Sequence, residues 1–246
     1  MNLSEYDIKD SIGPSEIKRA SFVSELHSVI KPIQLFSQIR GLTKDRRGQG
    51  QRIILIPGWK SHETVMYPIK KYLAFLGYAP EYWGLGINHG NIERYRDTMV
   101  EQLMAQNSEE QVTLIGWSLG GLVAREIARE IPNKVSSVIT YGTPVIGGPR
   151  YTIGNNFYRE SEIEAIIEQL EELDRTNPIK VPMSIIFTKK DSFVAWPACL
   201  DKTSKNVKHY EVDSTHLSLG IDPQVWKIVA RHLAQEMGMV AKASTI

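Results

Sequence analysis

This chain of 246 residues has few features of a secreted, membrane-spanning or nucleic-acid-binding protein. Its single cysteine, Cys199, rules out a disulfide within the chain. Its first residues lack a basic region followed by an apolar stretch, and no apolar run approaches the roughly 20 residues of a membrane span. The net charge of +1 gives no reason to expect nucleic acid or an acidic partner. We therefore expect a cytoplasmic protein with a conventional apolar core.

From residue 52 onward, short apolar runs alternate with segments of helical periodicity. This alternation is typical of a mostly parallel sheet with helices on both faces, and it predicts one α/β domain over residues 51–246. We expect about six strands, at residues 52–56, 79–85, 111–115, 136–141, 181–188 and 207–212. We expect helices at residues 64–76, 92–106, 119–131 and 223–237.

Residues 1–50 precede this alternation. Apolar side chains near helical spacing predict an amphipathic helix over residues 15–39, with a kink at Pro32, and residues 44–50 are interpreted as a solvated linker. The simplest interpretation is an extra helix packed on the sheet. A second interpretation is a membrane-surface anchor or a wall of a substrate pocket, but the polar face is not strongly basic.

A second exception to the alternation is the segment at residues 145–180, between the fourth and fifth strands. Its acidic helical run, residues 160–173, carries a stripe of apolar side chains opposite the glutamates. The charges are explained most simply as a solvated face. The position predicts a small helical cap over the carboxyl ends of the strands, entered through a hinge-like loop at residues 142–149. The stripe consists of Ile163, Ile166, Ile167, Leu170 and Leu173.

The most informative motif is Gly116-Trp117-Ser118-Leu119-Gly120, which has the form G-x-S-x-G. It follows an apolar run and precedes a predicted helix, the context of a nucleophile elbow. In such an elbow the serine hydroxyl projects from a sharp turn, and the amide of the next residue, Leu119, helps to bind an oxyanion. The alternative is a glycine-rich turn that happens to contain a serine.

A serine nucleophile needs an imidazole base, and in this architecture the order along the chain is serine, acid, histidine. Three histidines follow Ser118. His216 lies between the last strand and the final helix, so we predict that it is the base. His209 falls inside a strand and is interpreted as structural, whereas His232 is expected on the surface of the last helix.

Asp191 is the predicted acid because it follows the fifth strand, at the edge where the serine and histidine loops meet. An aspartate there can accept a hydrogen bond from imidazole Nδ1. Asp201 and Asp213 remain alternatives, although Asp213 is only three residues before the histidine. Asp191 can also be interpreted as an ordinary turn residue.

The loop after the first strand, residues 56–61, should supply the second oxyanion donor. Gly58 allows a tight turn, and the backbone amide of Trp59 is the predicted donor beside that of Leu119. The side chains of Trp59 and Trp117 are predicted to line the acyl pocket. No metal ligand set is predicted.

Together, Pro57-Gly58-Trp59, the motif at residues 116–121, Asp191 and His216 resemble the serine α/β-hydrolases of the esterase/lipase type. The resemblance covers about residues 52–238. It departs from the family in two ways: the first loop reads Ile-Pro-Gly where His-Gly is common, and the first two family strands are missing or replaced by the N-terminal helix.

The resemblance implies the α/β-hydrolase fold and hydrolysis of a small acyl ester through an acyl-enzyme, without a cofactor. Acyl transfer and thioester hydrolysis use the same intermediate and remain alternatives. A non-catalytic ligand-binding protein that keeps the hydrolase shell is an alternative of another class.

Overall fold

Six parallel strands form the sheet in the part of the chain that the structure, a computed structural model, describes: residues 19–23, 25, 48–106 and 109–243. Their order across the sheet is β2-β1-β3-β4-β5-β6. The strands are β1 (Arg52–Ile56), β2 (Ala79–Tyr82), β3 (Val112–Trp117), β4 (Val135–Tyr141), β5 (Met183–Phe187) and β6 (Val207–Glu211).

Helices connect the first five strands along the chain and follow the last one. They are α1 (Tyr67–Phe75), α2 (Ile92–Ala105), α3 (Leu119–Glu130), α4 (Glu160–Thr176) and α5 (Pro223–Ala243). Short 3₁₀ turns occur at Glu63–Met66, Ile153–Phe157, Trp196–Cys199 and Leu219–Ile221.

The two faces of β1 show how the core is divided. Ile53 and Leu55 pack with side chains of α1 and α5, whereas Ile54 and Ile56 pack with side chains of α2 and α3. Side chains alternate across a strand, so a strand covered on both faces is apolar throughout. The predicted architecture, a parallel sheet of about six strands with helices on both faces, is confirmed.

Element boundaries differ from the expectations in a few places. The predicted helix at residues 64–76 begins as the 3₁₀ turn Glu63–Met66, and α1 starts beside Pro68, whose missing amide suits a first helical turn. β2 ends at Tyr82 rather than residue 85, because the chain turns through Gly84 and Gly86 at φ +79° and +69°. α5 continues to Ala243, beyond the predicted end at residue 237.

The predicted N-terminal helix lies mostly outside the described residues, which include only 19–23 and 25 of its range. Between β4 and β5, the 145–180 segment contains the 3₁₀ turn Ile153–Phe157 and α4. Of the helices described, none combines the length and the apolar character needed to cross a bilayer.

Candidate active site

The carboxyl ends of β3, β5 and β6 bring the predicted site residues to one edge of the sheet. Ser118 directly follows β3, Asp191 follows β5 and His216 follows β6. Ser118 and His216 line the same cavity, which has a volume of about 550 Å³. This position, outside the carboxyl ends of parallel strands, is where ligands bind in open α/β sheets.

Ser118 occupies a strained backbone conformation, with φ 53° and ψ −125°. Such a conformation persists only when its surroundings hold it in place. The Ser118 amide donates to the Tyr141 carbonyl at 2.9 Å. Its carbonyl accepts from Thr143 Oγ1 at 2.9 Å and from the Gly121 amide at 3.0 Å. The last residue of β4, Thr143 just beyond it and the first turn of α3 therefore fix the turn that carries the hydroxyl.

Close backbone approach explains the glycines around Ser118. A Cβ on Gly120 would lie 2.3 Å from the Ile56 carbonyl oxygen, and one on Gly116 would lie 2.4 Å from the Gly121 Cα. Real Cβ atoms do not come so near to backbone, so α3 can approach β1 and β3 this closely only without side chains. Helix α3 begins directly after Ser118, so the positive end of its dipole lies next to this residue.

His216 and Asp191 form a buried hydrogen-bonded pair. Nδ1 of His216 lies 2.7 Å from Oδ2 of Asp191, and the two residues are 3% and 1% exposed. The other oxygen of Asp191, Oδ1, accepts the amides of Phe193 at 2.9 Å and Val194 at 2.7 Å. The carboxylate thus favours the imidazole tautomer that carries its proton on Nδ1 and leaves Nε2 as an acceptor.

The alternative acids lie elsewhere. Asp201 is buried and pairs with Arg125 at 2.7 Å. Burial alone would raise the pKa of Asp201, but the Arg125 charge and hydrogen bonds from Ser204 and Thr203 hold it well below its usual range. Asp213 pairs with Lys190 at 2.6 Å on an exposed part of the surface.

The other two histidines that follow Ser118 both have structural partners. His209 is buried in β6, and its Nε2 accepts the Asp201 amide at 3.1 Å. The expectation that His232 lies on the helix surface is wrong: it is 8% exposed, and its Nδ1 lies 2.7 Å from Ser184 Oγ. Burial, helped by the Lys208 charge, lowers the pKa of His232 to about 4. His232 is buried because α5 packs against the sheet, which places its side chain over β5.

The loop after β1 passes close beside Ser118. A Cβ on Gly58 would lie 3.3 Å from Ser118 Cβ. Asn88, which is fully buried, holds this loop: its side-chain Nδ2 donates to the Pro57 carbonyl at 2.8 Å, and its backbone carbonyl accepts the Lys60 amide at 2.7 Å. We did not predict this role for Asn88. A buried amide side chain needs partners, but sequence alone does not reveal its burial.

Both predicted pocket tryptophans line the cavity, and α4 contributes side chains to its lining. The ring of Trp117 lies 5.8 Å from the His216 ring, and that of Trp59 lies 5.1 Å from the Phe157 ring. Apolar side chains from several elements therefore enclose a space next to Ser118. They include Leu119, Leu122, Ile153, Ile166, Leu170, Leu173, Phe193 and Leu217.

In the described part of the chain, no three or more histidine, cysteine, aspartate or glutamate side chains cluster in a way that could hold a metal ion. The polar side chains that line the cavity include the hydroxyl of Ser118 and the imidazole of His216. Other hydroxyl, charged and amide side chains also line it: Ser61, Asn91, Glu93, Arg96, Glu126, Thr152, Tyr158 and Gln169.

The fold and this arrangement define an α/β hydrolase. The family model of the alpha/beta hydrolase fold matches residues 51–198, more than half of the chain, so the chain belongs to that family. The match includes Ser118 and Asp191 and ends before His216.

The relatives similar in sequence are bacterial esterases. The chain is 32% identical over 129 residues to the pimeloyl-(acyl-carrier protein) methyl ester esterase of Aliivibrio salmonicida, covering 51% of this chain and 48% of that protein. It is 28% identical over 129 residues to the same enzyme of Chromobacterium violaceum, covering 50% and 49%. The chain thus matches about half the length of these relatives.

Solved structures share the fold at low sequence identity. Alpha/beta hydrolase domain-containing protein 10 from mouse aligns with a TM-score of 0.57 at 18% identity, covering 79% of this chain and 92% of that one. Est1E from Butyrivibrio proteoclasticus, solved with ferulic acid bound, aligns with a TM-score of 0.56 at 15% identity, covering 79% and 91%.

Proposed function

We propose that this protein hydrolyses a carboxylic ester through an acyl-enzyme formed on Ser118. The observation that carries the proposal is the 2.7 Å contact of His216 Nδ1 with Asp191 Oδ2, at the edge of a cavity that Ser118 also lines. A buried carboxylate on Nδ1 leaves Nε2 to act as the base for a serine hydroxyl. The strained turn at Ser118 adds the geometry of a nucleophile elbow.

In this mechanism, Ser118 Oγ attacks the ester carbonyl carbon while His216 takes the hydroxyl proton. The resulting tetrahedral oxyanion accepts hydrogen bonds from the amides of Leu119 and Trp59. His216 then protonates the departing alcohol, and the acyl group stays on Ser118. Water, deprotonated by His216, repeats the sequence and releases the acid.

The positions of the two amides support their roles as oxyanion donors. Leu119 is the first residue of α3, so its amide is at the positive end of the helix dipole. In the loop after β1, the Lys60 amide is used by Asn88 and the Ser61 amide by the Gly58 carbonyl. Among the described residues, no such bond takes up the Trp59 amide, and Gly58 brings this loop against Ser118.

We further propose that the substrate is a small ester with an apolar acyl part, covered by the 145–180 segment as a cap. Three apolar side chains of α4, Ile166, Leu170 and Leu173, face the cavity. Similar proteins are named as methyl ester esterases, which agrees with a small leaving alcohol.

The test is hydrolysis of p-nitrophenyl esters from acetyl to long acyl chains, with Ser118→Ala beside wild type. Ser118→Ala should lose turnover and keep the wild-type melting temperature. Ser161→Ala, an exposed serine on α4, is the matched control and should remain fully active. Substantial turnover by purified Ser118→Ala would overturn the proposal.

Labelling with a serine-directed phosphonate separates catalysis from mere binding. An activated Ser118 should be labelled in wild type, whereas a non-catalytic binding shell would stay unlabelled although folded. Adding an alcohol, amine or thiol acceptor distinguishes hydrolysis from acyl transfer, because a transferase would favour the acceptor over water.

A further inference from the structure

Three of the described residues of the N-terminal segment, Ala20, Phe22 and Glu25, contact the loops that carry the acid and the histidine. The Ala20 amide donates to the Asp191 carbonyl at 2.8 Å. The Phe22 ring meets the Phe193 ring edge-on at 5.5 Å. The Phe193 ring in turn stacks on the His216 imidazole at 4.9 Å with an interplanar angle of 17°. This segment is therefore part of the wall behind the His216–Asp191 pair.

Glu25 makes the most direct of these contacts. Its Oε1 accepts the His216 amide at 3.2 Å and the Ser192 hydroxyl at 2.8 Å. Its Oε2 accepts the Leu217 amide at 3.2 Å. One carboxylate thus binds the backbone of the histidine itself and a side chain adjacent to the acid. Asp191 and His216 are 25 residues apart in sequence, and Glu25 lies 191 positions before His216. Glu25 therefore joins the loop that carries the acid to the loop that carries the histidine.

The charge of Glu25 suits this role. Burial alone would raise its pKa, but hydrogen bonds from Ser192, Thr215 and the backbone of Leu217 and His216 hold the pKa below its usual value. Hydrogen bonds to an ionised acceptor are about twice as strong as neutral ones.

We propose that Glu25 is a positioning residue that fixes His216 against Asp191, acting through the backbone of the histidine loop. The inference rests on the proposed function, because it assigns Glu25 a part in activating Ser118. A shift of about 1 Å in the position of the base can cost on the order of 100-fold in rate. The carboxylate restricts such shifts at two consecutive amides and at the neighbouring acid loop.

Two variants test the proposal in the 246-residue chain. Glu25→Ala removes every acceptor and should lower kcat about 10-fold, with KM for the p-nitrophenyl ester changed less than about 2-fold. Glu25→Gln keeps the side-chain volume but replaces one of the two accepting oxygens with an NH₂ group. In the wild type both oxygens accept hydrogen bonds, so some donors lose their acceptor and kcat should fall about 3-fold or more. The rate of phosphonate labelling of Ser118 should fall in parallel.

Glu101→Gln is the matched control: it changes an exposed carboxylate on α2, outside the cavity, and should keep wild-type kcat and labelling. Melting temperatures establish that each variant is folded. If Glu25→Ala does not fold, the nearly isosteric Glu25→Gln decides. Wild-type kcat and labelling in folded Glu25→Gln would overturn the positioning role.

The Ser118→Ala control separates the two proposals. If Ser118→Ala is inactive and the Glu25 variants match wild type, only the role of Glu25 fails. If wild-type Ser118 is not labelled at all, or if Ser118→Ala hydrolyses the esters, both proposals fail.

Discussion

At the scale of single residues, the two oxygens of Asp191 have separate partners. Oδ2 faces His216 Nδ1, whereas Oδ1 accepts the amides of Phe193 and Val194. The amides fix the rotation of the carboxylate, so its orientation toward the imidazole does not depend on the imidazole alone. A side chain that replaces Asp191 must accept hydrogen bonds from two backbone amides at one atom and from the His216 Nδ1–H group at the other.

Asp191→Asn cannot meet this requirement. Its carbonyl oxygen should stay with the Phe193 and Val194 amides, which turns the NH₂ group toward His216 Nδ1. The imidazole must then accept at Nδ1 and carry its proton on Nε2, where it cannot act as a base. We expect kcat to fall on the order of 10³- to 10⁴-fold with little change in melting temperature.

Ester hydrolysis and thermal unfolding check this expectation. Asp213→Asn is the control, since this exposed aspartate pairs with Lys190, and it should leave kcat unchanged. A large loss in Asp213→Asn, with Asp191→Asn active, would reverse the assignment of the acid.

At the scale of elements, a buried group of charges ties α3 to α4. Arg129 on α3 contacts Asp174 at 2.6 Å and Glu126 at 3.1 Å. It also donates to the carbonyls of Leu173 and Asn177, at the C-terminal end of α4. The helix that begins directly after Ser118 therefore contacts the C-terminal end of the helix that lines the cavity.

Removing Arg129 should be costly because Arg129 and Glu126 are buried and the Asp174 side chain is only 14% exposed. In Arg129→Met, Asp174 and Glu126 lose their closest cation, and two carbonyls lose a donor. We expect the free energy of unfolding to fall by about 3–5 kcal/mol, measured by urea denaturation. Arg175→Met is the control: it breaks an exposed pair with Glu172 within α4 and should change the free energy of unfolding by less than about 0.5 kcal/mol. Equal effects of the two variants would contradict the anchoring role of Arg129.

The approach of α3 to β1 gives a second prediction at this scale. A Cβ at position 120 would meet the carbonyl oxygens of Ile56 and Pro57 at 2.3 and 2.5 Å. Gly120→Ala must push α3 away from the sheet, which should destabilise the fold by about 1–3 kcal/mol. Gly220→Ala, where the added methyl has no neighbour within 4 Å, is the control for urea denaturation. Wild-type stability in Gly120→Ala would show that α3 shifts freely.

At the scale of the whole molecule, local pattern and chain order predict the fold, and the fold brings the predicted site residues to one edge of the sheet. Alternating periodicity is a property of neighbouring residues, so the strands and the flanking helices can be predicted from the sequence. The motif around Ser118 carries its own local geometry. The order serine, acid, histidine then selects Asp191 and His216, because parallel strands end at the same edge.

Long-range packing could not be predicted in this way. His232 has the local sequence of a helix surface, yet α5 places it over Ser184. Glu25 acts on a residue 191 positions away, and Asn88 on a loop about 30 positions before it. None of these contacts leaves a periodicity or a motif, because each depends on how separate elements pack.

Buried histidines should make the stability of the whole molecule depend on pH. The pKa of His232 falls from 6.5 to about 4 on folding because burial disfavours its charged form, and the pKa of His209 is lowered for the same reason. At these two histidines the unfolded chain therefore binds more protons than the folded chain below about pH 6.5, so their contribution to the free energy of unfolding falls as the pH falls from there. His232 alone should contribute a loss of about 3 kcal/mol, complete near pH 4.

Urea denaturation of wild type and His232→Gln between pH 8 and pH 4.5 measures this loss. Glutamine cannot gain a proton, so the variant should lose less stability than wild type as the pH falls. The comparison at pH 8, where both side chains are neutral, gives the cost of the altered contact with Ser184 and serves as the internal control. Asp201 acts in a lower window: its pKa is depressed on folding, so its stabilising effect declines only below about pH 4. Parallel curves for the two proteins from pH 8 to pH 4.5 would exclude His232 as a source of the acid sensitivity.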